Sequence, residues 1–94
     1  MNKDRYLDVL NANIGAVEKG ESPEELMPLL QWLRHWRPAS DDDDNVDYMT
    51  TSEIRSTMSE LVTLDLNLIS TIMWRLGYEV SVAALHPAWA MIMV

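Results

Sequence analysis

Apolar residues recur at helical spacing from the start of the chain. Leu7, Leu10, Ile14 and Val17 fall three and four apart with Tyr6 beside them, which predicts a helix from about Asn2 to Lys19 stopped by Gly20. Ser22-Pro23-Glu24-Glu25 is a second start signal, with Ser22 as N-cap, Pro23 at the first helical position and Glu25 placed to close a capping box. Pro28 leaves two arrangements open: a helix kinked after its first turn, or a short turn ahead of a main helix that begins at Pro28 and carries Leu29, Leu30, Leu33 and Trp36. On either, the Arg37-Pro38 step ends it, because a residue before proline is pushed out of the helical region.

Between Ala39 and Asp47 the pattern lapses. Five of these nine residues are aspartate and only Ala39 and Val46 are apolar, so the segment reads as a solvated, mobile linker kept extended by self-repulsion. The organisation expected is an N-terminal helical pair over residues 1–37, an acidic linker over 38–47 and a C-terminal module over 48–94.

In that module Thr50 stands three residues ahead of Glu53 as another capping box, and Ile54, Met58 and Leu61 are expected to share one helical face. After a break at Val62-Thr63, Thr63 or Asp65 caps a second helix with Ile69, Ile72, Met73 and Leu76 as its buried stripe and Gly77 as its left-handed end. The period then changes from 3.6 to 2. Tyr78, Val80 and Val82 alternate with Glu79 and Ser81, Trp89, Met91 and Met93 form a second alternating set, and Leu85-His86-Pro87-Ala88 turns the chain between them. The stretch Trp89 to Val94 is apolar on both faces, so it is expected to be covered.

Residues Thr50 to Val94, about half the chain, resemble the small winged helix-turn-helix domains common in bacterial and phage regulators. Thr50-Thr51-Ser52-Glu53-Ile54 corresponds to the opening of the motif's first helix, and Ile69-Ser70-Thr71-Ile72-Met73-Trp74-Arg75-Leu76-Gly77-Tyr78 to the recognition helix. The resemblance implies a winged-helix-like module with a C-terminal β-hairpin, and with the N-terminal helical pair read from apolar spacing the expected fold is mainly α, small α+β. It also implies that, in a DNA-binding regulator acting as a dimer, the exposed face of the second helix enters the major groove. The candidates there are Asp65, Asn67, Ser70, Thr71 and Arg75, with Asn67 suited to adenine edges and Arg75 to guanine or phosphate.

Charge changes that picture. The chain of 94 residues has fifteen acidic against seven basic side chains, a net charge of -8. From Tyr48 to Val94 only Arg55 and Arg75 are basic, against Glu53, Glu60, Asp65 and Glu79. Phosphate contacts dominate nucleic-acid affinity, so DNA is disfavoured as a partner and a basic protein is favoured. The partner-like residues are Trp32, Arg34, Trp36 and Arg37, of types enriched at binding hot spots, together with Asp41, Asp42, Asp43 and Asp44, whose carboxylates suit mimicry of DNA phosphates. An internal staple in which the arginines stack on tryptophan or pair with the aspartates is the competing structural role.

No catalytic or metal chemistry emerges. There is no cysteine, the three glycines are scattered, and no serine or threonine stands in a nucleophile context. Read as a calcium loop from Asp41, the aspartate run places Val46 where glycine is required and Ser52 where glutamate is required. His35 and His86 lie far apart without other ligand types nearby. The largely apolar C-terminal stretch, Val80 to Val94, is too short and too interrupted to span a membrane. The expectation is therefore a small cytoplasmic binding protein without enzyme activity, cofactor, metal or membrane association. It acts as a phage or mobile-element regulator or inhibitor by protein contact, with a basic nucleic-acid-binding host protein as a fitting partner. So small a core also favours a homodimer.

Overall fold

In the computed structural model, which describes residues 5–81 and 86–94, the stripe Tyr6, Leu10, Ile14 and Val17 lies buried along α1 (Arg5–Glu18). Gly20 then takes a left-handed φ of 77°, and the amides of Gly20 and Glu21 return to the carbonyls of Val17 and Ala16 at 3.0 and 2.8 Å. This is a Schellman cap, and it needs a residue without a Cβ at the turning position. Ser22 does not cap the next helical segment. A single 3₁₀ turn, Glu24–Leu26, starts after Pro23 without a side-chain cap, and α2 (Met27–Leu33) begins with Pro28 in its first turn, where the missing N–H costs nothing.

The helix α2 is shorter than its apolar pattern implies, because Trp36 is claimed by a sheet. Trp36–Pro38 form β1, which pairs antiparallel with the C-terminal strand β4 (Ala88–Met93). The register sets Trp36, Arg37 and Pro38 opposite Met93, Ile92 and Met91. Val94 donates to the His35 carbonyl at 2.8 Å and Ala39 to the Ala90 carbonyl at 3.2 Å, so Pro38 falls between hydrogen-bonding positions and its lack of an N–H does no harm.

The C-terminal half then folds as β2 (Asp47–Met49), α3 (Thr51–Met58), α4 (Leu66–Arg75) and β3 (Glu79–Ser81) before β4. Both α-helix starts are capped as their sequences demand. Thr50 and Glu53 exchange reciprocal bonds, with Glu53 N–H to Thr50 Oγ1 at 3.1 Å and Thr50 N–H to Glu53 Oε1 at 2.9 Å. Asp65, and not Thr63, accepts from the amides of Asn67 and Leu68 at 2.8 and 3.3 Å. Gly77, at a φ of 92°, repeats the Schellman arrangement, with Tyr78 N–H reaching the Met73 carbonyl at 3.1 Å.

The strand β4 is the centre of the sheet. The strand β2 lies along one edge, with Tyr48 opposite Ala90, while β3 and β1 occupy the other edge end to end, with Glu79 opposite Ala90 and Pro38 opposite Met91. Among the described residues this makes a small α+β fold of four α-helices and four antiparallel strands with a C-terminal hairpin. Ala88 through Met91 are buried, but Met93 and Val94 are exposed, so the chain itself covers only the first part of the apolar terminal strand.

One core joins the two ends of the sequence. Leu10, Leu29 and Leu33 belong to the same buried cluster as Ile54, Ile69, Met73 and Met91, and the Tyr6 ring meets the Tyr78 ring edge-on at 6.3 Å. The expected boundary between residues 37 and 38 falls inside β1. Two further expectations change. Leu61 lies beyond α3 and is exposed, lining an open groove of about 600 Å³ with Val17, Met27 and Pro28, while Leu64 takes the buried place. In β3 the expected alternation fails, with Val80 exposed and Ser81 buried, while Tyr78 before the strand is buried and donates its hydroxyl to the Trp36 carbonyl. The expected helix start at Asn2, the place of Val82 in the hairpin and the Leu85 end of its turn lie outside the described residues.

Candidate functional site

The acidic segment is the connection between β1 and β2, and those strands lie on opposite edges of β4. The chain must therefore cross the sheet between Ala39 and Val46, and it does so as a fastened strap, not the extended tether its charge suggests. Asp43 draws the turn together: its carboxylate accepts from the Ser40 amide at 2.9 Å and lies 3.4 Å from the Ser40 hydroxyl, while its own amide donates to the Ser40 carbonyl at 3.0 Å. Asn45 takes a left-handed φ of 60°, which asparagine tolerates better than most residues. Tyr48, whose partner across the sheet is Ala90, donates its hydroxyl to Asp41 Oδ1 at 2.8 Å. That hydrogen bond, then partial desolvation, then the charge of Asp41, holds the Tyr48 phenol above its ordinary pKa.

Ser40, Asp41 and Asp42 face Glu79, Val80, Ser81 and Ala90 across a concavity of about 310 Å³. Asp41, Asp42, Asp44 and Glu79 are exposed and Asp43 half-buried. The fold thus brings the four consecutive aspartates into one turn and adds Glu79, an acid that lies far away in sequence. Short-range pattern gives no hint of that addition, because it depends on the pairing of β3 with β4.

The tryptophan and arginine residues that precede the strap do not form one exposed patch. The rings of Trp32 and Trp36 are half-buried against the core, tilted at 44° with centroids 5.8 Å apart. Arg34 is exposed and donates to Asn11 Oδ1 of α1 at 3.3 Å, and Arg37 is half-buried in β1 opposite Ile92. Staple and surface roles are divided residue by residue: the rings supply core area, and Arg34 ties α2 to α1.

On α4 the residues proposed to read bases separate in the same way. Asn67, Thr71 and Arg75 are exposed. Ser70 is half-buried, its hydroxyl 3.2 Å from that of Thr51, which also accepts from the indole N–H of buried Trp89 at 3.0 Å. Thr71 donates its hydroxyl back to the Asn67 carbonyl at 2.8 Å. Asp65 is occupied by its cap, so the positive end of the helix is already met by a carboxylate. The residue missed is Trp74, 72 % exposed, with Leu68 beside the same face at 37 %. Its position off the stripe Ile69, Ile72, Met73 and Leu76 was the available signal.

Compared with known proteins, the chain matches no family model, no curated protein and no solved structure. Among the described residues no group of three histidine, cysteine or acidic side chains is arranged to hold a metal ion, and no helix is long and apolar enough to cross a membrane. The arrangement presents two surfaces, carboxylates of the strap and Glu79 on one side of the sheet and an aromatic, nearly uncharged face of α4 on the other.

Proposed function

We propose that this chain is a small, non-enzymatic cytoplasmic binding protein that acts by contact with another protein, presenting its acidic strap to a basic partner. The observation that carries this reading is the fixed strap. Asp41 is tied to Tyr48 and the turn is closed by Asp43, so carboxylates that would otherwise be scattered by a loose loop are held beside Glu79. Preorganised carboxylates lose less freedom on binding than mobile ones and suit the geometry of a phosphate mimic. A regulator or inhibitor of a nucleic-acid-binding host protein, of the kind phages and mobile elements carry, fits this surface.

The order β2, α3, α4, β3, β4, with β4 between β2 and β3, supports reading residues 48–94 as a winged helix-turn-helix module. That order also favours a second reading, a dimeric DNA-binding regulator using Asn67, Thr71 and Arg75. Three features of α4 oppose it. The groove-entering end carries the Asp65 carboxylate, Ser70 is committed to Thr51, and the face presents Trp74 where a DNA reader needs cationic or hydrogen-bonding groups.

Fluorescence anisotropy at low and then higher salt separates the two, using a labelled arginine-rich peptide and a labelled mixed-sequence duplex. The peptide is expected to bind, with affinity lost in the combined Asp41→Asn, Asp42→Asn and Asp44→Asn variant and retained when Glu18, Glu21 and Glu24 are changed to glutamine instead. Equal loss in both variants would reduce the effect to net charge and sink the proposal. Salt-sensitive duplex binding that disappears with Asn67→Ala and Arg75→Ala would put the DNA reading in its place.

A further inference from the structure

The strap and the exposed face of α4 lie on opposite sides of the sheet. Trp89, whose indole bonds to Thr51 at the start of α3, points to the helical side, and Ala90, its neighbour along the strand, points to the strap. We propose that the α4 face pairs with the same face of a second copy of this chain, antiparallel, about a twofold axis beside Thr71. This association leaves both straps open.

Composition is the first reason. The chain carries a net charge of -8, so two copies repel one another over most approaches. Leu66–Arg75 contains no acidic side chain, and its exposed members Asn67, Leu68, Thr71, Trp74 and Arg75 carry a single positive charge. Repulsion between two such faces is therefore low. Tryptophan and arginine are also the side chains most enriched where interfaces gain their energy.

The second reason is self-complementarity, which a twofold interface requires because each patch must fit itself. At a rotation of about 100° per residue, Asn67 and Trp74 project on one side of Thr71, and Leu68 and Arg75 on the other. Turning the helix over about Thr71 therefore lays Trp74 of one copy across Asn67 of the other. It sets Arg75 against Leu68 and beside the capping carboxylate of Asp65, which is exposed. Each positive C-terminal side chain meets the other copy's negative N-terminal one, and the two helix dipoles run in opposite directions.

Sedimentation equilibrium from low micromolar to near-millimolar concentration tests the pairing, and the absence of cysteine from the chain allows a positional check. Wild type is expected to approach twice the monomer mass, and Trp74→Arg to remain monomeric with unchanged circular dichroism. Under mild oxidation Thr71→Cys is expected to form a disulfide-linked dimer about tenfold or more faster than Ser56→Cys on exposed α3, as the high effective concentration at an axis implies. A wild type that is monomeric throughout overturns the proposal. So does a dimer that survives Trp74→Arg, or cross-linking at position 71 no faster than at position 56.

Discussion

The Thr51 hydroxyl lies between two side chains from distant parts of the chain, accepting from Trp89 Nε1 at 3.0 Å and sitting 3.2 Å from Ser70 Oγ. It joins α3, α4 and β4 at one point, and the Trp89 side chain that donates to it is buried. Thr51→Val keeps the shape and removes the acceptor; urea denaturation is expected to show a loss of about 1–3 kcal/mol, the cost of an unsatisfied buried donor. Gly77→Ala forces a Cβ into a left-handed conformation and is expected to cost about 1–2 kcal/mol in the same measurement, although space around the position is open. Tyr78 supplies a pH dependence. Burial first, and the neighbouring Tyr6 second, hold its phenol well above the ordinary value, so the folded state keeps its proton after the unfolded state has lost it. Its contribution is complete below the unfolded value of about 10 and declines as pH rises beyond that. Melting temperature followed upward from pH 8 is expected to fall more steeply for wild type than for Tyr78→Phe, which also starts lower for want of the bond to the Trp36 carbonyl.

At the scale of elements, the strap and β1 show how far local pattern reaches. The capping box at Thr50 and Glu53, the Asp65 cap and the two glycine ends formed as their sequences imply, because a cap is closed by residues within a few positions of one another. The fate of Trp36 was not local. Its helical spacing after Leu33 was outweighed by pairing with Met93, a residue at the far end of the chain. The strap's charge spoke for an extended tether, and a tyrosine seven residues away closed it instead. Tyr48→Phe removes that exposed closure. It is expected to change global stability by under about 1 kcal/mol, as for one net exposed hydrogen bond, while accelerating amide hydrogen exchange at Ser40 and Asp43. Unchanged exchange at those two amides would mean that the Ser40 and Asp43 bonds alone hold the turn.

For the whole molecule, the shared core sets the cooperativity. Leu10 on α1 is fully buried in the cluster that contains Met73 and Met91, and β1 is hydrogen-bonded to β4. Leu10→Ala is expected to cost about 2–5 kcal/mol. Heat is expected to melt helices from both halves in a single transition, with calorimetric and van't Hoff enthalpies that agree. Two separate transitions would show that residues 1–37 fold as a body of their own.

The sequence alone determined part of what short range controls: the caps at Thr50 and Asp65, the glycine ends at Gly20 and Gly77, the apolar stripes of α1 and α4, and the change to strand after Gly77. Those features follow from backbone caps and side-chain periodicity, which act over one or two turns. The candidate surfaces were legible only in part. The run Asp41 to Asp44 and the exposed Asn67, Thr71 and Arg75 could be named from pattern. The joining of Glu79 to the strap, the withdrawal of Ser70 to Thr51 and the packing of the half-buried Trp32 and Trp36 rings against the core could not. Tertiary structure decided these because β4, the last strand of the chain, pairs with three others and draws residues from positions 36 to 81 onto its edges. Which side chain faces water depends on that long-range pairing, and local spacing carries no record of it.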